Sequence, residues 1–331
     1  MDKQRDTNLD ILKIMASIAV IGLHTVMQEL SIFNSTLYYL CGFAVPIFFM
    51  VNGYLLLPRK EISAKYVFRK ICTILKVVVL WNVGVFFAFL LFKGELINLP
   101  ETIAKSLVQK GFLWQFWFLG ALIILYVSLP MIHAIFRKSK RLHFFCWIAL
   151  CMICNATEIA SVVSGRPVQK EVLQTFRLWT WFCYFIGGGY MQYLVPAIAA
   201  KLSKRRHGII LIVLTSIVLI WQNCAARYFI HDFHAEYFYD GLLTMLWNIC
   251  IFSYMKRIQI KPSWVKSLSK ASALTMGCYI IHPIFIRIGN QFLLIDDPAI
   301  AVLWWALITG ISFFAAWVML KTKYVRALIK L

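Results

Sequence analysis

The chain has few acidic residues and little of the polar composition that a water-soluble fold requires. Only 14 of its 331 residues are Asp or Glu, against 34 Lys or Arg, and charged residues make up 15% of the total. Hydrophobic residues make up 61% of this chain, whereas soluble domains contain about 45–50%. The composition therefore excludes an ordinary soluble domain and indicates an integral membrane protein.

The sequence also lacks the usual marks of a multidomain chain. It has no Pro-rich or Gly/Ser-rich linker, no obvious internal repeat, and no loop longer than about twenty residues between its apolar runs. No small-residue cleavage site follows the first apolar run, so we interpret that run as a retained helix and not as a signal peptide. We expect residues 1–331 to form a single transmembrane domain with no added soluble domain.

The nine cysteines do not form the pattern of a disulfide framework. Nearly all of them lie inside apolar runs, where cysteine behaves as a small core residue. Cys151 and Cys154 form a CxxC motif, but it lies within such a run and lacks the soluble context of a redox motif. We therefore expect no disulfides.

The apolar runs have the length of membrane-spanning helices, which need about 20 mostly apolar residues. The ten candidate segments are 9–29, 38–57, 71–92, 114–136, 142–160, 178–197, 208–225, 239–256, 271–290 and 300–320. The sequence thus predicts an all-α, polytopic membrane protein with about ten transmembrane helices.

The positive charges predict the orientation of these helices. If the N-terminus is cytoplasmic, 24 Lys and Arg residues fall in cytoplasmic segments and 8 on the opposite side, while Lys13 and Lys76 lie within spans. Because cytoplasmic loops carry an excess of Lys and Arg, this bias predicts that both termini are cytoplasmic. The cations lie in short clusters between apolar runs, so we expect no nucleic-acid partner.

The first predicted span carries three ionisable residues on one face. Lys13 and His24 are eleven positions apart, which is almost three helical turns or roughly 16 Å, and Asp10 lies one turn before Lys13. Ionisable residues at membrane depth are costly and usually functional. We interpret His24 as a general base and Lys13 as an anchor for an anionic cytosolic ligand. The structural alternatives are a hydrogen-bonded core histidine and a snorkelling lysine paired with Asp10.

Two further groups of residues are candidates for the same site. Tyr279 and His282 share a helix face, and His282 lies at a depth comparable to that of His24, so the two histidines either line one cavity or are separate structural groups. Arg69, Lys70 and Lys76, at the cytoplasmic end of the third span, are suited to binding phosphates, although positive-inside topology alone also produces such a cluster.

The remaining polar and aromatic clusters have simpler interpretations. We expect Trp114, Trp117 and Phe118, at the outer start of the fourth span, to belong to an interfacial aromatic belt. His231 and His234 flank Asp232 in an outer loop, but no further ligand set accompanies them. We therefore expect no metal site.

Taken together, these segments resemble the membrane-bound acyltransferase-3 family, the bacterial O-acetyltransferases of surface glycans. The resemblance covers essentially the full length. It is carried by Asp10-x-x-Lys13, Lys13-x10-His24, the run from Pro46 to Leu55, Tyr66-x-x-Arg69-Lys70, Trp117-Phe118 and Tyr279-x-x-His282-Pro283. There are two departures: Lys13 stands where the family usually has arginine, and Asn52 where it commonly has serine.

The resemblance implies a membrane O-acyltransferase of the bacterial inner membrane. Its donor would be cytosolic acetyl-CoA, a co-substrate, and its acceptor a hydroxyl of a surface or lipid-linked glycan, such as O-antigen or exopolysaccharide, on the outer side. Donor and acceptor, with membrane lipids, are the implied partners, and no metal is implied. The alternative that we keep is a transporter or flippase for a lipid-linked sugar.

The resemblance also implies roles for the candidate residues. His24 matches the family's essential histidine, which either deprotonates the acceptor hydroxyl or carries the acetyl group itself. Lys13 matches the basic member of the pair, and Asp10 is expected to hold it in place. The nucleotide end of the donor is expected near Lys13 and three further cations, Arg69, Lys70 and Lys76. Two residues of the ninth span, Tyr279 and His282, are expected to shape the acceptor side.

Overall fold

The computed structural model describes residues 5–293, 295–323 and 325–329. Lys3 and Lys330, which enter the charge argument above, lie outside these residues. The regular structure in the described ranges is entirely helical, which confirms the all-α prediction.

Thirteen α-helices make up the described part of the chain, joined by short 3₁₀ turns and one π-helical turn. They are α1 (Thr7–Thr25), α2 (Ile32–Leu40), α3 (Ala44–Leu56), α4 (Ala64–Lys93), α5 (Leu99–Leu107), α6 (Trp117–Lys138), α7 (Lys140–Ser164), α8 (Leu178–Lys201), α9 (Lys204–Cys224), α10 (Leu242–Met255), α11 (Pro262–Ser272), α12 (Thr275–Gly289) and α13 (Pro298–Lys321). Local sequence sets several of their ends. Ser63 and Ser139 cap the starts of α4 and α7 through their hydroxyl groups, and Gly94 and Gly165, both at positive φ, end the same two helices.

Each of the ten predicted segments coincides with a helix, but fewer of these helices qualify as membrane spans. Within the described residues, seven are long and apolar enough to cross a membrane, or eight if α11 and α12, bent by 49° at their junction, form one span. The bundle is that of a multi-pass membrane protein, and the count of ten spans is not confirmed.

Two helices account for the difference between ten and eight. The 14 residues of α10 make a helix shorter than a full span. The other helix, α8, has 24 residues, which is long enough to span a membrane. Its three consecutive glycines, Gly187 to Gly189, together with Gln192 and several tyrosines, make its mean hydropathy too low for a candidate span.

The closest helix pairing in the bundle joins α3 to α8 through glycine. A Cβ atom at Gly53 would lie 1.7 Å from the carbonyl oxygen of Phe185, and one at Gly188 would lie 2.0 Å from that of Met50. No side chain larger than hydrogen fits at either position, so these two backbones approach each other directly, as is common between membrane helices.

Helix α1 packs between α3, α12 and α13, so its functional face lies inside the bundle. Polar contacts fix it along its length. The Asn8 amide donates to the carbonyl of Met255 at 2.7 Å, the Ser17 hydroxyl to that of Thr275 at 3.2 Å, and the Trp305 indole to that of Ile18 at 2.9 Å. These contacts hold the face that carries Lys13 and His24 against the other helices.

Candidate active site

One face of α1 runs along three cavities. The Lys13 cavity, of about 490 Å³, is lined by Arg5, Asp6, Leu9, Asp10, Lys13, Tyr54, Leu55, Pro58 and Gln192. A narrow pocket of about 60 Å³ follows, with Val20, His24, Phe48, Gln115, Thr275, Met276 and Tyr279 among its lining residues. The Glu236 cavity, of about 390 Å³, is lined by His24, Gln28, Tyr38, Gln109, Trp114, Gln174, His234 and Glu236, among others. His24 lines both the narrow pocket and the Glu236 cavity, and so stands where the two meet.

In the Lys13 cavity, Asp10 is bound chiefly by Arg5. The Asp10 carboxylate is only 2% exposed and accepts hydrogen bonds from Arg5 Nε at 2.7 Å and Nη2 at 3.1 Å. The Lys13 ammonium lies 3.9 Å from the same carboxylate and is 29% exposed. The predicted Asp10–Lys13 ion pair is therefore present but long, and Lys13 makes no hydrogen bond within the described residues.

Arg5 was not predicted as a site residue. It precedes the first helix, so it belongs to no helical stripe, and the sequence shows it only as one of many cytoplasmic cations. Its Nη2 also donates to the carbonyl of Ser269 at 3.0 Å, so that one guanidinium joins the start of α1 to α11. Its contacts with Asp10 and Ser269 identify its place in the site.

The other three predicted donor-binding cations lie on α4. Arg69 and Lys76 are exposed, Lys70 is half-buried, and none of the three is among the residues that line the Lys13 cavity. Their role in binding the donor stays a prediction.

The two predicted histidines lie side by side. The ring centroids of His24 and His282 are 5.4 Å apart with planes inclined by 19°, and the Trp114 ring meets His24 edge-on at 4.8 Å. His24 makes no hydrogen bond within the described part of the chain, so the alternative of a hydrogen-bonded core histidine does not describe it. Neither imidazole nitrogen has a hydrogen-bond partner among the described residues.

His282 lies behind His24 and is fully buried. Its Nδ1 is 3.0 Å from the carbonyl of Cys278, an acceptor, so Nδ1 carries the proton in the neutral ring. Nε2 then presents a lone pair, and it has no partner among the described residues. On the same helix, the Tyr279 hydroxyl donates to the backbone carbonyl of Gln115 and so joins α12 to the turn before α6.

The expectation of an aromatic belt is wrong for Trp117 and Phe118. These side chains are only 6% and 7% exposed and line the narrow pocket. Trp117 packs against Trp181 at 5.2 Å, and Phe118 against Phe49 at 5.0 Å. An aromatic residue near the start of an apolar run looks the same in sequence whether it faces lipid or protein, and here the packing of α6 against α3 and α8 turns both rings inward.

The loop between α9 and α10 supplies acidic and imidazole groups to the Glu236 cavity. Glu236 accepts a hydrogen bond from Arg177 at 3.2 Å and another from the Gln174 amide. Burial raises the pKa of Glu236, and the charge of Arg177 opposes part of that rise. Sequence reasoning missed this carboxylate because Arg177 and Glu236 are far apart along the chain.

His234 and Asp232 form a second charged pair in that loop. The two side chains are 2.5 Å apart, and Lys170 lies 3.3 Å from the same carboxylate. Partial burial alone would raise the pKa of Asp232, but hydrogen bonds from His234 and Lys170 lower it to about 2, while the bond to Asp232 raises the pKa of His234. Within the described residues, no three His, Cys, Asp or Glu side chains are grouped so as to hold a metal ion.

Comparison with known proteins identifies the family. The sequence profile of the acyltransferase domain matches residues 6–321 of this chain. The chain belongs to the acyltransferase-3 family. This result confirms the resemblance read from the sequence and supports an acyltransferase in the membrane.

This acyltransferase-3 protein is also similar to an amino-acid racemase of Enterococcus faecalis. The two are 23% identical over 302 residues, which are 87% of this chain and 42% of the relative. The chain thus spans about two fifths of that relative's length. No solved structure matches the chain.

Proposed function

We propose that this protein is a membrane O-acetyltransferase of the bacterial inner membrane. It moves an acetyl group from cytosolic acetyl-CoA to a hydroxyl of a surface or lipid-linked glycan, such as O-antigen or exopolysaccharide, on the extracytoplasmic side. The observation that supports this proposal best is the position of His24 where the narrow pocket meets the Glu236 cavity, with an imidazole that bonds to none of the described residues.

The donor binds at the Lys13 cavity. Arg5 already engages both oxygens of Asp10, so the Lys13 ammonium is free to pair with a phosphate or carbonyl oxygen of the donor. Arg69, Lys70 and Lys76 lie on α4, outside this cavity, and attract the donor's phosphates electrostatically.

The acceptor binds in the Glu236 cavity. Its amide side chains, Gln28, Gln109 and Gln174, offer donors and acceptors for hydroxyl groups, and the Trp114 ring offers an apolar surface. The acidic residue that lines this cavity, Glu236, is paired with Arg177. Asp232 in the same loop is paired with His234 and Lys170. A wall whose charges are already paired suits an uncharged, polyhydroxylated ligand.

The chemistry has two routes that share His24. In the first, the imidazole takes the proton of the acceptor hydroxyl as the oxygen attacks the thioester carbonyl, the C–S bond breaks, and the thiolate leaves and is protonated as CoA. In the second, an imidazole nitrogen attacks the thioester carbonyl, the C–S bond breaks, and the leaving thiolate takes up the imidazole proton as CoA. The acceptor oxygen then attacks the acetyl carbonyl, the C–N bond breaks, and the hydroxyl proton returns to the imidazole. His282, stacked on His24, is the nearest second imidazole for proton transfer.

The test is turnover of acetyl-labelled acetyl-CoA by purified protein in detergent, with membrane glycolipid extract as acceptor. We expect His24→Ala to reduce turnover by roughly 10²–10⁴-fold, the usual contribution of a positioned acid–base group. His231→Asn is the matched control because His231 is exposed and has a positive φ of 53°, which asparagine tolerates. This variant should keep wild-type turnover.

Two outcomes would contradict the proposal. Full activity of His24→Ala would exclude both routes through this residue. Folded wild-type protein that neither turns over acetyl-CoA nor becomes labelled would favour the alternative, a transporter for a lipid-linked sugar in which the same cavities line a translocation path.

A further inference from the structure

Gln115 is a buried polar side chain beside His24 that no sequence pattern singled out. It lies in the short 3₁₀ turn Trp114–Phe116 before α6, is 1% exposed, and lines the narrow pocket. Two hydrogen bonds tie it to α12: its Nε2 donates to the carbonyl of Ile280 at 3.1 Å, and its backbone carbonyl accepts from the Tyr279 hydroxyl. The side chain is therefore held in one orientation.

That orientation leaves one polar atom unused. Gln115 Oε1 has no hydrogen-bond partner among the described residues, although it is fully buried. Reversing the amide would bring its oxygen against the carbonyl oxygen of Ile280, so the bond to Ile280 fixes which atom remains free. A buried acceptor without a donor is unfavourable, and more so at low dielectric.

The surroundings of Gln115 indicate what kind of group could bond to its unpaired Oε1. His282, whose ring stacks on His24, has a buried Nε2 that lacks a partner among the described residues and is an acceptor as well. This region therefore presents unpaired hydrogen-bond acceptors, which a ligand with an N–H or O–H donor would satisfy. Gln115 lines the narrow pocket but is not among the residues of the Glu236 cavity, so it faces the path of the donor and not the proposed acceptor site.

We propose that Gln115 Oε1 accepts a hydrogen bond from the amide N–H of the donor's pantetheine arm nearest the sulfur. This inference rests on the proposed function. In acyl-CoA, two methylene groups separate the thioester sulfur from that amide, and its N–H is the hydrogen-bond donor closest to the reacting carbonyl. Gln115 and His24 line the same small pocket, so a thioester placed at His24 puts this amide at Gln115.

The pocket must widen to admit the arm, because about 60 Å³ is much less than the cavity on either side. Met276 lines it, and an unbranched methionine side chain repacks readily. The hydrogen bond to Gln115 then sets how far the arm advances and so places the acetyl carbonyl at His24.

The experiment compares acetyl-CoA with an analogue in which this amide is replaced by an ester, so that an oxygen stands in place of the N–H. We expect wild-type kcat/KM to be roughly tenfold lower for the ester analogue, the effect of leaving a buried acceptor unpaired. In Gln115→Met the two donors should be used almost equally. Gln115→Asn withdraws the side-chain carbonyl by one methylene group and should also reduce the ratio of kcat/KM for acetyl-CoA to that for the ester analogue. It replaces the methionine variant in this test if that variant does not fold.

Gln222→Met is the matched control. Gln222 is also 1% exposed, its amide donates to Thr244, and its Oε1 likewise lacks a partner in the described part of the chain, but it lines none of the three cavities. This variant should keep the tenfold preference. Equal use of both donors by wild type, or an undiminished preference in both Gln115 variants, would overturn the inference. A wild type that does not use acetyl-CoA at all would instead overturn the proposed function.

Discussion

Arg5, and not Lys13, is the principal partner of Asp10 at the N-terminal end of α1. Asp10 is almost fully buried, and a buried carboxylate needs a bound cation. Because the Arg5 guanidinium bonds to both carboxylate oxygens, the Lys13 ammonium lies near Asp10 without a hydrogen bond to it. In the proposed function, Arg5 is therefore a positioning residue that would affect the donor through Lys13.

Replacement of Arg5 tests this arrangement. In Arg5→Gln the Asp10 carboxylate loses its bidentate partner, and Lys13, 3.9 Å away, is drawn onto it. We expect the KM for acetyl-CoA to rise roughly tenfold, which corresponds to about 1.4 kcal/mol, with kcat within about twofold of wild type. Initial rates over a range of acetyl-CoA concentrations measure both constants.

Two further variants separate positioning from general charge. Arg5→Lys keeps the charge without the bidentate geometry and should restore part of the affinity. Arg141→Gln removes an exposed cation of α7 and should leave KM unchanged. A fall in kcat with unchanged KM in Arg5→Gln would show that Arg5 does not act through donor binding.

Among the helices, the direct contact of α3 with α8 holds the site together. Phe48 and Val45 of α3 line the narrow pocket, and the glycines at Gly53 and Gly188 let α3 rest against the backbone of α8. A methyl group at Gly53 meets a carbonyl oxygen that belongs to a helix and cannot rotate away. The two helices would have to separate, which also opens the walls of the pocket.

Gly53→Ala should therefore destabilise the protein by about 3 kcal/mol, at the upper end of the usual effect of overpacking. Thermal unfolding of the detergent-purified protein measures the loss. Gly310→Ala on α13 is the matched control, because a Cβ atom there has no neighbour within 4 Å in the described part of the chain. It should leave stability unchanged within about 1 kcal/mol or raise it slightly. Similar melting temperatures for the two variants would show that the α3–α8 contact tolerates a methyl group.

At the scale of the whole molecule, the number of spans decides the side on which each cavity opens. The seven candidate spans together with the bent α11–α12 pair make eight, an even number, which would place both ends of the chain on one side of the membrane. Adding both α8 and α10 gives ten and leaves this parity unchanged. The charge bias predicts that this side is the cytoplasm.

Reporter fusions test that topology. A fluorescent protein fused before α1 or after Lys321 should fluoresce in the cytoplasm, and alkaline phosphatase at the same positions should be inactive. Phosphatase inserted at Gly94, after α4, should be active because that turn is predicted to face outward. Opposite results at the two ends of the chain would indicate an odd number of spans and would reverse the assignment of one cavity.

The sequence by itself determined those properties that depend on local pattern. Apolar composition and run length predicted an all-helical membrane protein, and the spacing of Asp10, Lys13 and His24 placed them on one helix face, because helical periodicity acts between residues close in the chain. The family was also recognisable from its motifs, and the profile match over residues 6–321 confirms it.

Only the tertiary structure decided which distant groups meet this face. Arg5 bonds to Ser269, Gln115 to Ile280, and His24 stacks on His282, and each pair is separated by more than 150 positions. The inward packing of Trp117 likewise arises from helix contacts that hydropathy does not encode, and hydropathy did not predict the bend between α11 and α12. Such contacts depend on how helices pack in three dimensions, and a single sequence carries no local signal of that packing.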